Sequence, residues 1–318
     1  MNRTQLIERV SILDKLVIPH TGFSEAVRGI SECVLKSAAY SEPVGSLLLA
    51  NGGMGKSTVC HAIMKHMKTT KKIVGKIEKT IVPAFYSEIP SPATVKSVAA
   101  SMLRDMGAAS PNNGSSAAHM TERLCMLLSD AETTLVFLDE TQNLFKIGTR
   151  STKVNLDVCN WVKWMINKTK ISFCLVGLPD FAPYLSADSQ LTRRFPMHFH
   201  LRPLMPGDQS FPGTLVPFLA EVLKQTASRL ELKSVPAMNN LLATKQIYAA
   251  TGGIPAFIMS LLKEAALQGL SSGKSCLELE DFADAWDAGI TFEASITKDN
   301  PFRMSPAALE GSLRSASW

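Results

Sequence analysis

The sequence has few cysteines, and none are spaced to act together. Cys33, Cys60, Cys125, Cys159, Cys174 and Cys276 are scattered through 318 residues, with no Cys-x-x-Cys pair and no metal-ligand spacing, which argues against a structural zinc site. Several lie inside apolar patterns and are expected as buried free thiols in a reducing cytosol. No apolar run approaches the ~20 residues that a bilayer-spanning helix requires, so no contact with a membrane is expected. Residues 1–9 are polar and charged, without the apolar stretch of a secretory leader. The chain also lacks internal repeats, long low-complexity segments and any zinc-finger or homeodomain-like reader of base sequence. What remains is 46% hydrophobic, enough for one large or two ordinary domains with a full core.

Charge is modest in sum and uneven in place. The net is +5 overall, with +6 over residues 1–80, −2 over 81–150, +3 over 151–210 and −2 over the remainder. Such an excess suits either a polyanion partner or a solvated basic face.

Residues 1–40 read as a helical lead-in, with Phe23, Val27, Ile30, Val34 and Leu35 at helical spacing. From residue 41 to 206 strands and helices alternate. Strands are expected at 44–50, 81–89, 134–138, 171–177 and 197–201, with helices at 56–67, from Ser91-Pro92 to about 106, at 117–129 and at 154–167. That alternation predicts an α/β domain, a parallel sheet covered by helices on both faces. Residues 207–290 read as helices only, a small α-helical domain, and 291–318 as a polar C-terminal tail.

One segment carries the chemistry. After the apolar run 44–49, the residues Ala50-Asn51-Gly52-Gly53-Met54-Gly55-Lys56-Ser57-Thr58 open a helical pattern. A Gly-rich turn between a parallel strand and a helix aims backbone N–H groups and the positive helix end at one point. Asn51 through Thr58 would cradle phosphates, with Lys56 on the β/γ-phosphates and the Ser57 hydroxyl on Mg²⁺. A second signal, Leu135-Val136-Phe137-Leu138-Asp139-Glu140, is a buried strand delivering two carboxylates at its C-terminal end. Asp139 would hold Mg²⁺, and Glu140 would polarise the water attacking the γ-phosphate. Asn167-Lys168-Thr169-Lys170 ends in a lysine that cannot accept from guanine N–H groups and precedes a strand, so ATP is expected rather than GTP. A third signal is Gln190-Leu191-Thr192-Arg193-Arg194-Phe195. Supplied to a neighbouring subunit, Arg194, or Arg193 beside it, would stabilise transition-state charge.

These signals in this order, with helices behind, resemble the P-loop NTPases of the AAA+ class, and within them the TniB/TnsC transposition regulators, with MuB more distant. Ile18-Pro19-His20-Thr21-Gly22-Phe23, Ser87-Glu88-Ile89-Pro90-Ser91-Pro92, Asp139-Glu140-Thr141-Gln142-Asn143-Leu144, Leu175-Val176-Gly177-Leu178-Pro179 and Ile247-Tyr248 through Gly252-Gly253 are similar to successive segments of that family. The resemblance implies an AAA+ nucleotide domain over 41–206, a helical lid over 207–290, and a bacterial cytoplasmic ATPase. It would assemble as a ring or helical filament around double-stranded DNA and mark a target for a transposase, together with a TniQ-like targeting factor. Lys96, after the second strand, and Lys146, Thr149, Arg150 and Lys153, after the acidic pair, are then the candidate DNA contacts. Such contacts position a duplex without reading its sequence. The lysines of 65–79 offer an alternative surface.

Two departures stand out. Gly177 occupies the place where many AAA+ proteins carry a polar sensor, and Thr251-Gly252-Gly253-Ile254-Pro255 lacks the lid arginine. Slow hydrolysis, with ATP serving mainly as an assembly switch, is the expectation. A signalling switch of the STAND type and a replication initiator or helicase loader are the competing readings.

Overall fold

The structure, a computed structural model, describes residues 2–109, 114–147, 152–186, 189–207, 213–237 and 241–315. Its strands are β1 (Ser46–Leu49), β2 (Thr70–Val74), β3 (Ile77–Ile81), β4 (Ala84–Glu88), β5 (Leu135–Asp139), β6 (Phe145–Ile147), β7 (Thr152–Val154), β8 (Ser172–Gly177) and β9 (Met197–His200). The helices are α1 (Arg3–Ser11), α2 (Thr21–Ala39), α3 (Lys56–His66), α4 (Val95–Asp105), α5 (Ala117–Asp130), α6 (Leu156–Thr169), α7 (Ala182–Ser186), α8 (Ser189–Arg194), α9 (Leu215–Arg229), α10 (Leu241–Thr251), α11 (Pro255–Ser271), α12 (Leu279–Asp287) and α13 (Pro306–Ser315). Contacts divide the chain into two compact units. One comprises Gly22–Gly52 and Lys56–Leu201; the other comprises Met1–Thr21, Gly53–Gly55 and Arg202–Trp318.

The first unit is built on a five-stranded sheet of order β4-β5-β8-β1-β9, with every neighbour parallel. β1, β5 and β8 are buried at every position, as expected of continuous apolar runs in a sheet covered on both faces. Helices supply one apolar stripe each. α4 contributes Val98, Ala99, Met102 and Leu103, and α6 contributes Val158, Trp161, Val162, Met165 and Ile166 to the same core. Burying the Trp161 indole is tolerable because its Nε1–H donates to Thr121 Oγ1 at 3.0 Å. Trp164 on the same helix stays half exposed, as does Leu156 two turns before it.

Local chemistry moves two boundaries from their expected places. The helix expected from Ser91-Pro92 begins at Val95, because the Thr94 hydroxyl caps the Ser97 amide and the Ser97 hydroxyl caps the Thr94 amide in return. The expected second strand shortens to Ala84–Glu88, since Ile81 closes a separate antiparallel hairpin, β2–β3. Lys71-Lys72 is followed there by Ile73-Val74, adjacent pairs with no period-two alternation, so the hairpin has no strand signature within its charge run.

The helical unit packs α9 to α13 around Leu215, Phe218, Val222, Ile247, Leu261, Phe282 and Trp286. α1 joins it through Val10, with Leu13 just beyond, against Leu230 and Ala266, and Asp14 pairs with Lys263 at 2.6 Å. Residues past Thr291, expected as a polar tail, carry α13, whose Leu309 and Leu313 are buried in this core. Asn300 ties the intervening turn down by donating to Ala283 O at 2.9 Å, and Phe302 lies beside Phe282. Two leucines one turn apart are too sparse a stripe to register as a helical repeat.

Candidate nucleotide-binding site

The phosphate loop leaves strand β1, which lies between β8 and β9, and enters α3. Gly53 (φ 75°) and Gly55 (φ 91°) adopt left-handed backbone conformations that side chains with a Cβ resist. Met54 is buried, whereas Asn51, Gly52 and Gly53 are exposed. The Lys56 ammonium lies back across the loop, donating to Ala50 O at 2.7 Å and Asn51 O at 3.2 Å. Ser57, in the first turn of α3, is exposed, and Thr58 is half-buried. The unsatisfied N–H groups of that turn, the lysine and the hydroxyl make a cradle suited to an anionic oxygen cluster.

Asp139 and Glu140 sit at the end of β5. All strands of the sheet run parallel, so this end lies on the same edge as the exit of β1, with β8 between them. Asp139 is buried, and both its oxygens are engaged. Tyr86 O–H donates to Oδ2 at 2.6 Å and Glu140 N–H to Oδ1 at 2.7 Å. Burial and then the bond to Asp139 push the Tyr86 phenol far above its ordinary value, so it remains a donor at every physiological pH. Each carboxylate oxygen keeps a second acceptor position, and Asp139 with the Ser57 hydroxyl is an oxygen donor set of the kind Mg²⁺ takes.

Glu140 adopts a left-handed conformation (φ 58°), a backbone cost of about 1–3 kcal/mol that persists only where surroundings impose it. Those surroundings are visible. Gln142 Nε2 donates to the Glu140 carboxylate, Asn143 N–H donates to Glu140 O at 2.8 Å, and Asn143 Nδ2 donates to Ile89 O at 2.7 Å. Thr141 and Gln142 turn toward the end of β8. A Cβ on Gly177 would lie 2.0 Å from Thr141 Oγ1 and 3.2 Å from Gln142 Oε1. Glycine at 177 is therefore a packing requirement, and polar side chains from the β5 end fill the space a side chain there would take. Gly177→Ala should destabilise the chain by about 1–3 kcal/mol, the usual cost of overpacking a tight core site, read as a lower denaturant midpoint with unchanged slope. A midpoint equal to the parent's would refute that packing.

Tyr86 and Gln142 are the two site residues to which the sequence assigned no role. Gln142 lay inside the quoted acidic motif, but Tyr86 carried no local signal. Cys60, on α3, and Cys174, on β8, are both fully buried. Burial holds both thiols well above their ordinary range, Cys174 at about 12, which makes them inert packing groups.

The arginine pair ends α8. Arg194 Nη1 contacts Glu42 Oε2 at 2.7 Å with only 18% of its side chain exposed, whereas Arg193 is 76% exposed and 3.8 Å from the same oxygen. Of the two, Arg193 is the one presented outward. Among the candidate DNA contacts, Lys96 is exposed on α4. Lys146 and Lys153 are register partners in the antiparallel β6–β7 pair that follows the acidic motif. Thr149 and Arg150 lie outside the described residues.

The family described as "Bacterial TniB protein" matches residues 14–203, more than half of the chain. The Aeropyrum pernix ORC1 protein in complex with DNA is 18% identical with a TM-score of 0.59, over 86% of this chain and 66% of that one, just under two thirds of its length. The A. pernix ORC2 protein in ADPNP–ADP complexes is 14% identical with a TM-score of 0.62, over 87% and 71% of the two chains. The Thermotoga maritima RuvB Holliday junction branch migration motor is 15% identical with a TM-score of 0.51, over 92% and 81%. At such identities the likeness is one of fold, and the fold is that of AAA+ proteins. No curated protein sequence matches the chain.

Proposed function

The chain belongs to the TniB family, and from that membership we propose that it is an ATP-dependent regulator of bacterial transposition. It assembles on double-stranded DNA as a ring or helical filament, selects the target site, and recruits and activates the transposase with a TniQ-like targeting factor. The observation that carries this reading is the placement of Lys56 and Ser57, after β1, on the same sheet edge as Asp139 and Glu140, after β5.

In this reading Asn51 to Thr58 enclose the phosphates of ATP, and Lys56 exchanges its two loop carbonyls for β/γ oxygens. Mg²⁺, when bound, neutralises charge between those phosphates, and Ser57 and Asp139 are the residues that would hold it. Tyr86, a permanent donor, keeps the Asp139 carboxylate aimed. Glu140, held by Gln142, orients the attacking water and accepts its proton. Arg194 or Arg193 of one subunit serves the site of the next. The Glu42 pairing favours Arg193 as the group free to reach across, while Arg194 buttresses it. Residues 207–290 act as the lid. Lys96, Lys146, Thr149, Arg150 and Lys153 face the duplex. The ORC1 complex with DNA and the ORC2 complexes with ADPNP and ADP are consistent with one fold serving both ligands.

The test is electron microscopy and sedimentation of the protein with duplex DNA and a non-hydrolysable ATP analogue in a bacterial cytoplasmic buffer. Ordered oligomers on DNA are expected only when the nucleotide is present. Equal assembly without nucleotide would remove the switch from the account.

A further inference from the structure

The β2–β3 hairpin is the chain's strongest concentration of charge. Residues 65–79 hold six lysines and one glutamate, a net +5 that equals the net charge of all 318 residues. The remainder of the chain is balanced. Every residue of β2 is exposed, and β3 is buried only at Ile81. A two-stranded ribbon open on both faces is marginal by itself, and this one is rooted by acids at the end of α5. Lys72 and Lys79 are cross-strand partners, like charges that would repel. Glu132 takes Lys72 at 3.1 Å and Asp130 takes Lys79 at 4.0 Å. On the other face Lys71 pairs with Glu78. Lys76 at the turn, and Lys65 and Lys68 at the base, make no ion pair among the described residues. The tip between them is apolar and bare, with Ile73 78% and Ile77 72% exposed beside Val74.

We propose that this ribbon is a second contact for the phosphate backbone of duplex DNA, separate from the Lys96 and Lys146/Lys153 positions. The proposal rests on the DNA-assembly reading above and adds a surface to it. Charge complementarity decides the occupant, since a duplex offers phosphates at the density these lysines require. Exposed ion pairs such as Lys71–Glu78 are weak enough for phosphate oxygens to displace. Shape agrees. Two strands about 4.8 Å apart fit a major groove about 12 Å wide, where the short apolar tip can lie against the sugars of the groove wall without touching base edges.

The experiment titrates the full chain, with an ATP analogue, against a labelled duplex across a series of salt concentrations. Lys65→Ala/Lys68→Ala/Lys76→Ala removes exposed side chains that hold nothing in the fold. Its slope of log affinity against log salt should be shallower than the parent's by about 2–3, at about 0.9 per lost phosphate contact, equally for unrelated sequences. Ile73→Ser/Ile77→Ser should weaken binding several-fold with the slope unchanged. If the triple variant keeps the parental slope while Lys96→Ala/Lys146→Ala/Lys153→Ala lowers it, the ribbon is excluded and the DNA reading stands. If the triple variant binds DNA normally but loses phosphatidylglycerol vesicles or self-assembly, the ribbon serves a lipid surface or a second copy, and the proposal is overturned. A parent that binds no duplex at any salt overturns both.

Discussion

Lys56→Ala should abolish nucleotide binding and, with it, every nucleotide-dependent assembly. The ammonium makes two hydrogen bonds to loop carbonyls, Ala50 O and Asn51 O. In the proposed bound state it would exchange them for phosphate oxygens, which are charged. Hydrogen bonds to charged groups contribute about 1.5–3 kcal/mol each, so losing two reduces affinity by about two to four orders of magnitude. Isothermal calorimetry with Mg²⁺ and ATP measures this directly. The side chain is half-buried and its hydrogen bonds go to its own loop, so the thermal midpoint without nucleotide should stay near the parent's. That separates lost binding from lost folding. Heat of binding indistinguishable from the parent's would show that the loop does not hold a triphosphate.

Glu140→Gln should do the opposite to assembly. Turnover falls by about 10²–10⁴, the ordinary worth of a positioned general base, while ATP affinity stays within a few-fold. The substitution preserves shape, and the new amide oxygen can still accept from Gln142 Nε2, so the left-handed turn at 140 is kept. With hydrolysis stopped, oligomers on DNA should persist with ATP as they do with the analogue. Phosphate release and the lifetime of sedimenting complexes are the measurements. A variant that hydrolyses ATP within a few-fold of the parent would transfer the role of Glu140 to another group.

The same two residues mark how far sequence reading reaches. Lys56, Ser57, Asp139 and Glu140 were legible because their signals are local. A run of apolar residues specifies a buried strand, and the residues immediately after it carry the chemistry. The alternation that predicted a parallel sheet is local as well, and the five strands lie where those runs lie, within a few residues. Arg193 and Arg194 were legible as a pair but not as individuals.

The sequence alone therefore determined the fold class and the places of the Gly-rich turn after β1 and the acidic pair after β5, because each is written in consecutive residues whose period or composition has one physical reading. Only the tertiary structure decided that Tyr86 holds Asp139 across 53 residues, that Gly177 yields its space to Thr141 and Gln142, that Glu42 engages Arg194 and leaves Arg193 outward, and that α13 packs into the helical core. Each of these depends on strand register and on side chains brought together from distant segments. Such juxtapositions are set by packing the whole core at once, and no window of neighbouring residues contains them.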